Sequence, residues 1–358
     1  MSPGKPRQFL FAAIAAGGFF LALEAGLRAA HFHYQRNLSY MEFGYPGKIE
    51  LHQVFESDPQ LLFRMKPGYD FKLGFGPLNQ QGFRGKNFKK TKPANAARIA
   101  CLGDSVTFGT AEGAFPEMME QILLRDAGKV FQVYNFGVPG YSSWQGKNLL
   151  PKVLDEYHPD IVLIFYGWND MWLAKGFSDQ EQKPAEANAP LFFLRGELSR
   201  LRTYQLLNRI FASAKLKLSA GKQEKLRVPL NEFESNLEQM IEMTRASGAE
   251  PVLAAAPAGF GLAAMPDFFE YLGFARDADQ IAGLRNDYNQ AVAASAARSR
   301  TALIDLDLIF RQRGVKNFFD RPDKDVIHPN AAGLELIAES AARIIIDSSV
   351  AHEPRRGK

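Results

Sequence analysis

From residue 98 onward, short apolar runs alternate with longer stretches in which apolar residues recur every three or four positions. The first pattern predicts buried strands and the second predicts helices packed on one face. The predicted strands are residues 98–103, 130–136, 160–166, 250–256 and 301–305. The predicted helices are residues 112–126, 143–157, 231–247, 281–298 and 330–346. This alternation predicts an α/β fold of right-handed βαβ units, with a mainly parallel five-stranded sheet covered on both faces.

The N-terminal stretch is apolar and follows two basic residues. Residues 9–23 carry no charge, and Glu24 and Arg28 come directly after them. The uncharged run is short for a transmembrane helix of about 20 residues, but the two charged residues suit the membrane interface. We interpret residues 1–30 as an uncleaved membrane anchor, because no pair of small residues near its end suits a signal peptidase. A cleaved signal peptide, which would release a secreted protein, is the alternative.

Residues 31–97 have no helical period and are interpreted as an extracytoplasmic extension and linker. Apolar residues alternate at 71–75, which predicts a strand. The Asn and Gly residues of 79–85 predict a turn. Residues 86–97 are basic and then rich in proline and alanine, as in a linker.

The predicted α/β domain covers residues 98–348. Residues 171–230 are too long for a simple connection between a strand and a helix, so we expect an insertion near the site. Residues 349–358 form a solvated tail. Export would place everything after the anchor outside the cytoplasm, in the periplasm or at the cell surface.

Composition excludes several classes of function. A formal net charge of +4 in 358 residues is too small and too scattered to indicate a nucleic-acid partner. Cys101 is the single cysteine, so no internal disulfide forms, and it lies in an apolar strand. The six histidines show no metal-binding spacing, and no cofactor is expected. The sequence contains no signal for a protein partner.

Polar residues follow the predicted strands. Ser105 comes after the first strand, Gly137 after the second and Asn169 after the third, while Asp325 and His328 precede the last helix. Because the carboxyl ends of parallel strands share one edge of a sheet, we expect these residues to converge there. Each residue alone has an ordinary explanation as a turn former, a cap or a surface group.

The set is chemically complete for nucleophilic catalysis. His328 is the expected base for Ser105, and Asp325, three residues earlier, is expected to hold the far ring nitrogen. The backbone amides of Ser105 and Gly137, with the side-chain amide of Asn169, are the expected donors to an oxyanion.

Two other aspartates lie near these residues. Asp323 also lies within reach of the His328 loop, but the spacing favours Asp325 as the acid and leaves Asp323 solvated. Asp104 is expected to orient the nucleophile loop rather than to transfer protons.

The motifs resemble those of the SGNH hydrolase (GDSL esterase/lipase) superfamily. Residues 103–109, Gly-Asp-Ser-Val-Thr-Phe-Gly, match its first block. Gly137 matches the second block, and residues 167–170, Gly-Trp-Asn-Asp, match the third. Asp325 and His328, with a proline and an asparagine after them, match the last block.

The resemblance implies a flavodoxin-like three-layer α/β/α sandwich. It implies Ser105 as the nucleophile, and Gly137 and Asn169 as oxyanion donors. The segment at 79–85 also looks like the one that precedes the catalytic domain in membrane-anchored bacterial members, some of them associated with polysaccharide.

The three tryptophans, Trp144, Trp168 and Trp172, lie in or near these motifs. Packing beneath the loops is the favoured interpretation. A platform that binds a sugar ring or another flat ligand is the alternative.

The sequence therefore predicts a membrane-anchored, extracytoplasmic serine esterase. The expected substrate is a small acyl ester, with an O-acetyl group on a carbohydrate as the specific candidate. Three alternatives stay open: an O-acyltransferase acting on an exported polysaccharide, a lipase, lysophospholipase or thioesterase, and an inactive binding protein of an envelope assembly.

Overall fold

The structure is a computed structural model. It describes residues 5–32, 54–70, 76–127, 130–174, 177–182, 200–219, 225–260 and 275–347, together with residues 194, 197, 198, 266 and 269. The chain divides into two compact units. One comprises Met1–His52 and Ala185–Gln223, and the other comprises Gln53–Pro184 and Glu224–Lys358. The strand predicted at 71–75 and the tail at 349–358 lie outside the described residues.

The larger unit begins with an antiparallel pair of strands and continues into a parallel sheet. The paired strands are β1 (Phe55–Asp58) and β2 (Leu62–Met65). The sheet strands are β3 (Ala96–Gly103), β4 (Val130–Gly137), β5 (Ile161–Phe165), β6 (Glu250–Ala255) and β7 (Ala302–Asp305). All four neighbouring pairs of the sheet are parallel. The predicted five-stranded parallel sheet is therefore confirmed.

Strand order places the first strand of the sheet in its interior. The order is β4-β3-β5-β6-β7, so the chain reverses its direction of winding between β3 and β5. Every residue of β3 and β5 is buried, which explains why these strands read as continuous apolar runs. In doubly wound sheets a ligand binds beyond the carboxyl ends of the strands, beside this reversal.

The helices are α1 (Lys5–Ala29), α2 (Ser105–Phe108), α3 (Phe115–Asp126), α4 (Ser143–Tyr157), α5 (Arg202–Ser219), α6 (Leu230–Ala246), α7 (Ala278–Ser299), α8 (Leu306–Arg313) and α9 (Ala331–Asp347). Five of them match predicted helices within about three residues. Helices α3 and α9 pack together, whereas α4 packs on α6 and α6 packs on α7. These two groups form the outer layers of the predicted sandwich. The pattern did not predict α2, α5 or α8.

The segment before the sheet contacts the rest of the larger unit through backbone groups. The side chain of Asn79 accepts hydrogen bonds from the amides of Gln81 (3.0 Å) and Phe83 (2.9 Å), which builds the turn that the sequence predicts. Arg84, directly after Phe83, is buried and donates a hydrogen bond to the carbonyl of Thr110 at 2.6 Å. The Tyr141 hydroxyl, just after β4, donates to the β2 carbonyl of Phe63 at 2.7 Å.

The smaller unit contains α1 and α5. Among the described residues, one helix is long and apolar enough to cross a membrane: Leu10–Ala29, with a mean hydropathy of 1.9 and no buried residue. Within this span, Arg28 donates to Glu24 at 2.7 Å, so the two charged residues of Leu10–Ala29 pair with each other.

Two helical glycines give a test of the packing between α4 and the sheet. A Cβ on Gly146 would lie 2.3 Å from Cε2 of Tyr166, whereas a Cβ on Gly283 of α7 would meet no described atom within 4 Å. We expect Gly146→Ala to lower the free energy of unfolding by about 1–3 kcal/mol through overpacking. Gly283→Ala should raise it by up to about 1 kcal/mol, since alanine is the better helix former. Urea denaturation of the purified full chain measures both, and equal effects would contradict the packing described here.

Candidate active site

The loop after β3 brings Ser105 to the carboxyl edge of the sheet. Asp104 caps α2, and its Oδ1 accepts a hydrogen bond from the Val106 amide at 2.9 Å. Ser105 is the first residue of α2. A Cβ on Gly103 would lie 2.0 Å from Oγ1 of Thr107, so only glycine allows this tight turn.

A continuous hydrogen-bonded chain joins Ser105, His328 and Asp325. Oγ of Ser105 lies 2.7 Å from Nε2 of His328, and Nδ1 of His328 lies 2.7 Å from Oδ2 of Asp325. The serine and the histidine are 223 residues apart in the chain. Each ring nitrogen therefore has one partner, which is the arrangement a histidine needs to take a proton from a hydroxyl.

The loop around Asp325 orients its carboxylate. Oδ1 of Asp325 accepts hydrogen bonds from the backbone amides of Ile327 (2.9 Å) and His328 (3.0 Å), which leaves Oδ2 for the imidazole. Asp323 instead pairs with Arg321 at 3.1 Å, and 48% of its side chain is exposed. The structure thus places Asp325, not Asp323, against His328.

The pKa values of these groups reflect mutual attraction. For His328, partial burial opposes the charged form, but the Asp325 carboxylate, its hydrogen bond and the Asp104 charge raise the pKa above the ordinary value. For Asp325, burial is likewise outweighed by the His328 charge and hydrogen bonds, and its pKa is lowered. Burial raises the pKa of Asp104 to about 6. The imidazole is therefore a stronger base than a solvated histidine.

The structure does not leave the Gly137 amide available to a ligand. Gly137 is the last residue of β4, and its N–H donates to Oδ1 of Asn135 at 2.9 Å in a buried position. The expectation that Gly137 donates to an oxyanion disagrees with this contact. The Asn135 side chain accepts the hydrogen bond that the sequence analysis assigned to the substrate oxyanion.

The turn that follows β4 contains another glycine amide. The Tyr141 amide donates to the Val138 carbonyl at 3.0 Å, and Gly140 has a φ of +87°. Proline at the second position and a positive φ at the third are typical of a type II turn, which does not use the amide of its third residue. Among the described residues, the Gly140 amide has no hydrogen-bond acceptor. The Pro139-Gly140 dipeptide was the signal that could have identified it.

Asn169 lies after β5 and its side chain is fixed by its neighbours. The Trp172 indole donates to Oδ1 of Asn169 at 3.0 Å, so Nδ2 is the end that faces the Ser105 loop. Nδ2 donates to the Tyr141 carbonyl at 3.0 Å and makes a longer contact, 3.3 Å, with Oδ2 of Asp104. The sequence did not reveal that Trp172 positions Asn169.

The tryptophans are not an exposed platform as a group. Trp168 and Trp172 are buried and stack with ring centroids 6.1 Å apart. Trp168 also contacts Phe260, and Trp172 contacts Phe269. Trp144, on α4, is half-buried.

A buried ion pair that the sequence did not reveal holds the turn containing Gly140. Arg227 contacts Asp179 through two nitrogens, at 3.0 and 2.7 Å, and the two side chains are 2% and 0% exposed. Arg227 also donates to the Gly140 carbonyl at 3.0 Å, and Asp179 accepts from the Ser142 hydroxyl at 2.6 Å. Both charged residues lie in the stretch 171–230.

A metal site is not evident in the part of the chain that the structure describes. No three or more His, Cys, Asp or Glu side chains there are grouped so that they would hold a metal ion.

Comparisons with known proteins identify a family whose sequence profile matches this chain. The sequence profile of the GDSL-like lipase/acylhydrolase family matches residues 101–336. An arylesterase from Vibrio mimicus is 34% identical over 76 residues, which cover 20% of this chain and 38% of that protein. The chain thus matches about two fifths of the length of this curated relative.

Solved structures resemble the chain at lower identity. A lipase/acylhydrolase from Enterococcus faecalis has a TM-score of 0.43 at 16% identity, covering 73% of this chain and 100% of its own. An acetylxylan esterase from Geobacillus stearothermophilus has a TM-score of 0.45 at 16% identity, covering 74% and 100%.

The protonation of His328 tests the contact with Asp325. In the full chain labelled with ¹⁵N-histidine, we expect a nuclear magnetic resonance titration to give His328 a pKa above the ordinary 6.5. Asp325→Asn should lower it, because the negative charge that favours the imidazolium is lost. Asp323→Asn is the matched control and should leave it unchanged. A larger shift in the control than in Asp325→Asn would contradict the assignment of the acid.

Proposed function

Because the chain belongs to the GDSL-like lipase/acylhydrolase family, we propose that it is a serine esterase that cleaves small acyl esters through an acyl-enzyme on Ser105. The observation that carries the proposal is the unbroken chain from Oγ of Ser105 through His328 to Asp325, with 2.7 Å at each contact.

In the first step, Oγ of Ser105 attacks the ester carbonyl carbon while Nε2 of His328 takes the hydroxyl proton. Asp325 keeps the other ring nitrogen protonated and stabilises the imidazolium that forms. The raised pKa of His328 supports this role, because a stronger base takes the proton more readily.

The attack places a negative charge on the former carbonyl oxygen. We assign its donors to the amides of Ser105 and Gly140 and to Nδ2 of Asn169. Two observations support Gly140 in place of Gly137: the Gly137 amide is engaged by Asn135, and the Gly140 amide has no acceptor among the described residues. Nδ2 of Asn169 would exchange its long contact with Asp104 for the oxyanion.

The intermediate then collapses to products. The bond to the leaving oxygen breaks, and His328 returns its proton to that oxygen, which departs as an alcohol. Water, deprotonated by the same imidazole, attacks the acyl-enzyme and releases the free acid and Ser105.

The packing beside Asn169 supports a short acyl group. Trp168 and Trp172 fill the space next to this residue together with Phe260 and Phe269. Because these rings pack against each other, we propose that a long acyl chain does not bind between them.

We further propose that residues 1–30 anchor the protein and that residues 31–97 connect this anchor to a catalytic domain outside the cytoplasm, at residues 98–348. The apolar helix Leu10–Ala29, with Lys5 and Arg7 before it, supports a cytoplasmic N-terminus. This location would give the enzyme access to exported polysaccharide, so an O-acetyl ester of a carbohydrate is the specific substrate that we propose.

A substrate panel tests the reaction. Wild-type full chain should release acetate from acetyl esters faster than longer acids from long-chain esters or thioesters. Ser105→Ala and His328→Ala should each lower kcat by roughly a millionfold, and the double variant should lose little more, because these residues act as one unit. Full activity in Ser105→Ala would overturn the mechanism. Transfer of the acyl group to a glycan hydroxyl, in place of acid release, would identify an acyltransferase.

The oxyanion donors are tested at Asn169. Asn169→Ala should lower kcat by about a hundredfold to a thousandfold while KM changes little, since the lost hydrogen bond acts mainly in the transition state. Asn148→Ala is the control, because the side-chain amide of Asn148 donates to the carbonyl of Trp144 on its own helix. A rise in KM with unchanged kcat would show that Asn169 binds the ground state instead.

A further inference from the structure

Helix α5 in the smaller unit exposes an apolar ridge made of Leu207, Ile210 and Phe211. Their side chains are 43%, 54% and 68% exposed, and the spacing places all three on one face of the helix. Leu201, just before the helix, is 41% exposed as well. Large apolar side chains gathered on one exposed face are unusual for a protein surface in water.

The opposite pattern holds for the polar residues of α5. Three polar side chains of α5 are buried, with at most 9% of each exposed: Thr203, Gln205 and Asn208. A helix on a water-facing surface buries its apolar face and exposes its polar face. Among the described side chains of α5, Gln205 and Asn208 lie inside and the apolar ridge lies outside, as expected for a helix whose outer medium is apolar.

A contact with α1 sets where α5 begins. The carboxylate of Glu24 accepts hydrogen bonds from the amides of Arg202 (3.0 Å) and Thr203 (2.8 Å) and from the Thr203 hydroxyl (2.9 Å). Glu24 lies five residues before Ala29, the end of the apolar span. At 1.5 Å per residue, α5 therefore begins about 8 Å from the end of the span, at the depth where a bilayer changes from acyl chains to headgroups.

The charges of α5 all have one sign. The helix contains Arg202, Arg209, Lys215 and Lys217 and no acidic residue. Basic residues on an amphipathic helix are attracted to anionic headgroups.

We propose that α5 is an interfacial helix that lies on an anionic bilayer, with the apolar ridge inserted at the boundary between headgroups and acyl chains. This inference rests on the proposed membrane location of α1. It gives part of the stretch 171–230 a role: a second attachment to the membrane beside the transmembrane anchor.

Site-specific labelling of the full chain tests the proposal. Phe211→Cys places a fluorescent label on the ridge, and Arg209→Cys is the matched control at an exposed position on another face. The native Cys101 is fully buried, and unsubstituted protein controls for its labelling. The proteins are reconstituted in vesicles of equal parts phosphatidylcholine and phosphatidylglycerol, and quenching by a lipid-attached nitroxide is compared with quenching by iodide in the water.

We expect the lipid-attached quencher to act several-fold more strongly at 211 than at 209, with the reverse order for iodide. Vesicles of phosphatidylcholine alone should weaken lipid quenching at 211. Equal access of iodide to both positions would overturn the proposal, and protection of 211 from both quenchers would indicate a protein partner instead. Flotation with the vesicles checks α1 separately: protein that floats without lipid quenching at 211 refutes only the role of α5, and protein that fails to float refutes the anchor.

Discussion

The buried ion pair between Arg227 and Asp179 is the interaction on which the site depends most. Removing one partner of such a pair leaves an uncompensated buried charge, at a cost of about 3–5 kcal/mol. The pair contacts the Gly140 carbonyl through Arg227 and the Ser142 hydroxyl at the start of α4 through Asp179. The turn after β4 therefore keeps one conformation, and the proposed oxyanion donor in that turn keeps one direction.

The same arginine influences the pKa values of two buried aspartates, Asp104 and Asp170. Burial raises the pKa of Asp104 to about 6 and that of Asp170 to about 7, and the positive charge of Arg227 opposes both shifts. An ionised Asp104 in turn raises the pKa of His328. The charge of Arg227 thus influences the ionisation of Asp104, and the charge of Asp104 influences the pKa of His328. In the proposed mechanism, a group outside the triad therefore influences how strongly the base attracts a proton.

The two compact units differ in where their apolar residues lie. The larger unit has an apolar sheet buried by helices on both faces, and polar groups gather where its strands end. The smaller unit has an apolar helix with no buried residue in its span, and a second helix on which Leu207, Ile210 and Phe211 are exposed. The first arrangement suits water as the solvent, and the second suits a lipid boundary.

The sequence by itself determined the α/β fold, the five strands and the five long helices that flank them. A strand buried on both faces is a continuous apolar run, and a helix buried on one face has an apolar residue every three or four positions, so both patterns are visible in a short stretch of sequence. It also determined that Ser105, Asn169 and His328 come after strands or before the last helix, and parallel topology brings such positions to one edge. Only the tertiary structure decided which partner each polar group has. The Gly137 amide bonds to Asn135, Arg227 reaches Asp179 across 48 residues, and Glu24 reaches Thr203 across 179. A hydrogen bond depends on the distance and angle between donor and acceptor. The pattern of apolar residues gives neither for groups that are far apart in the chain.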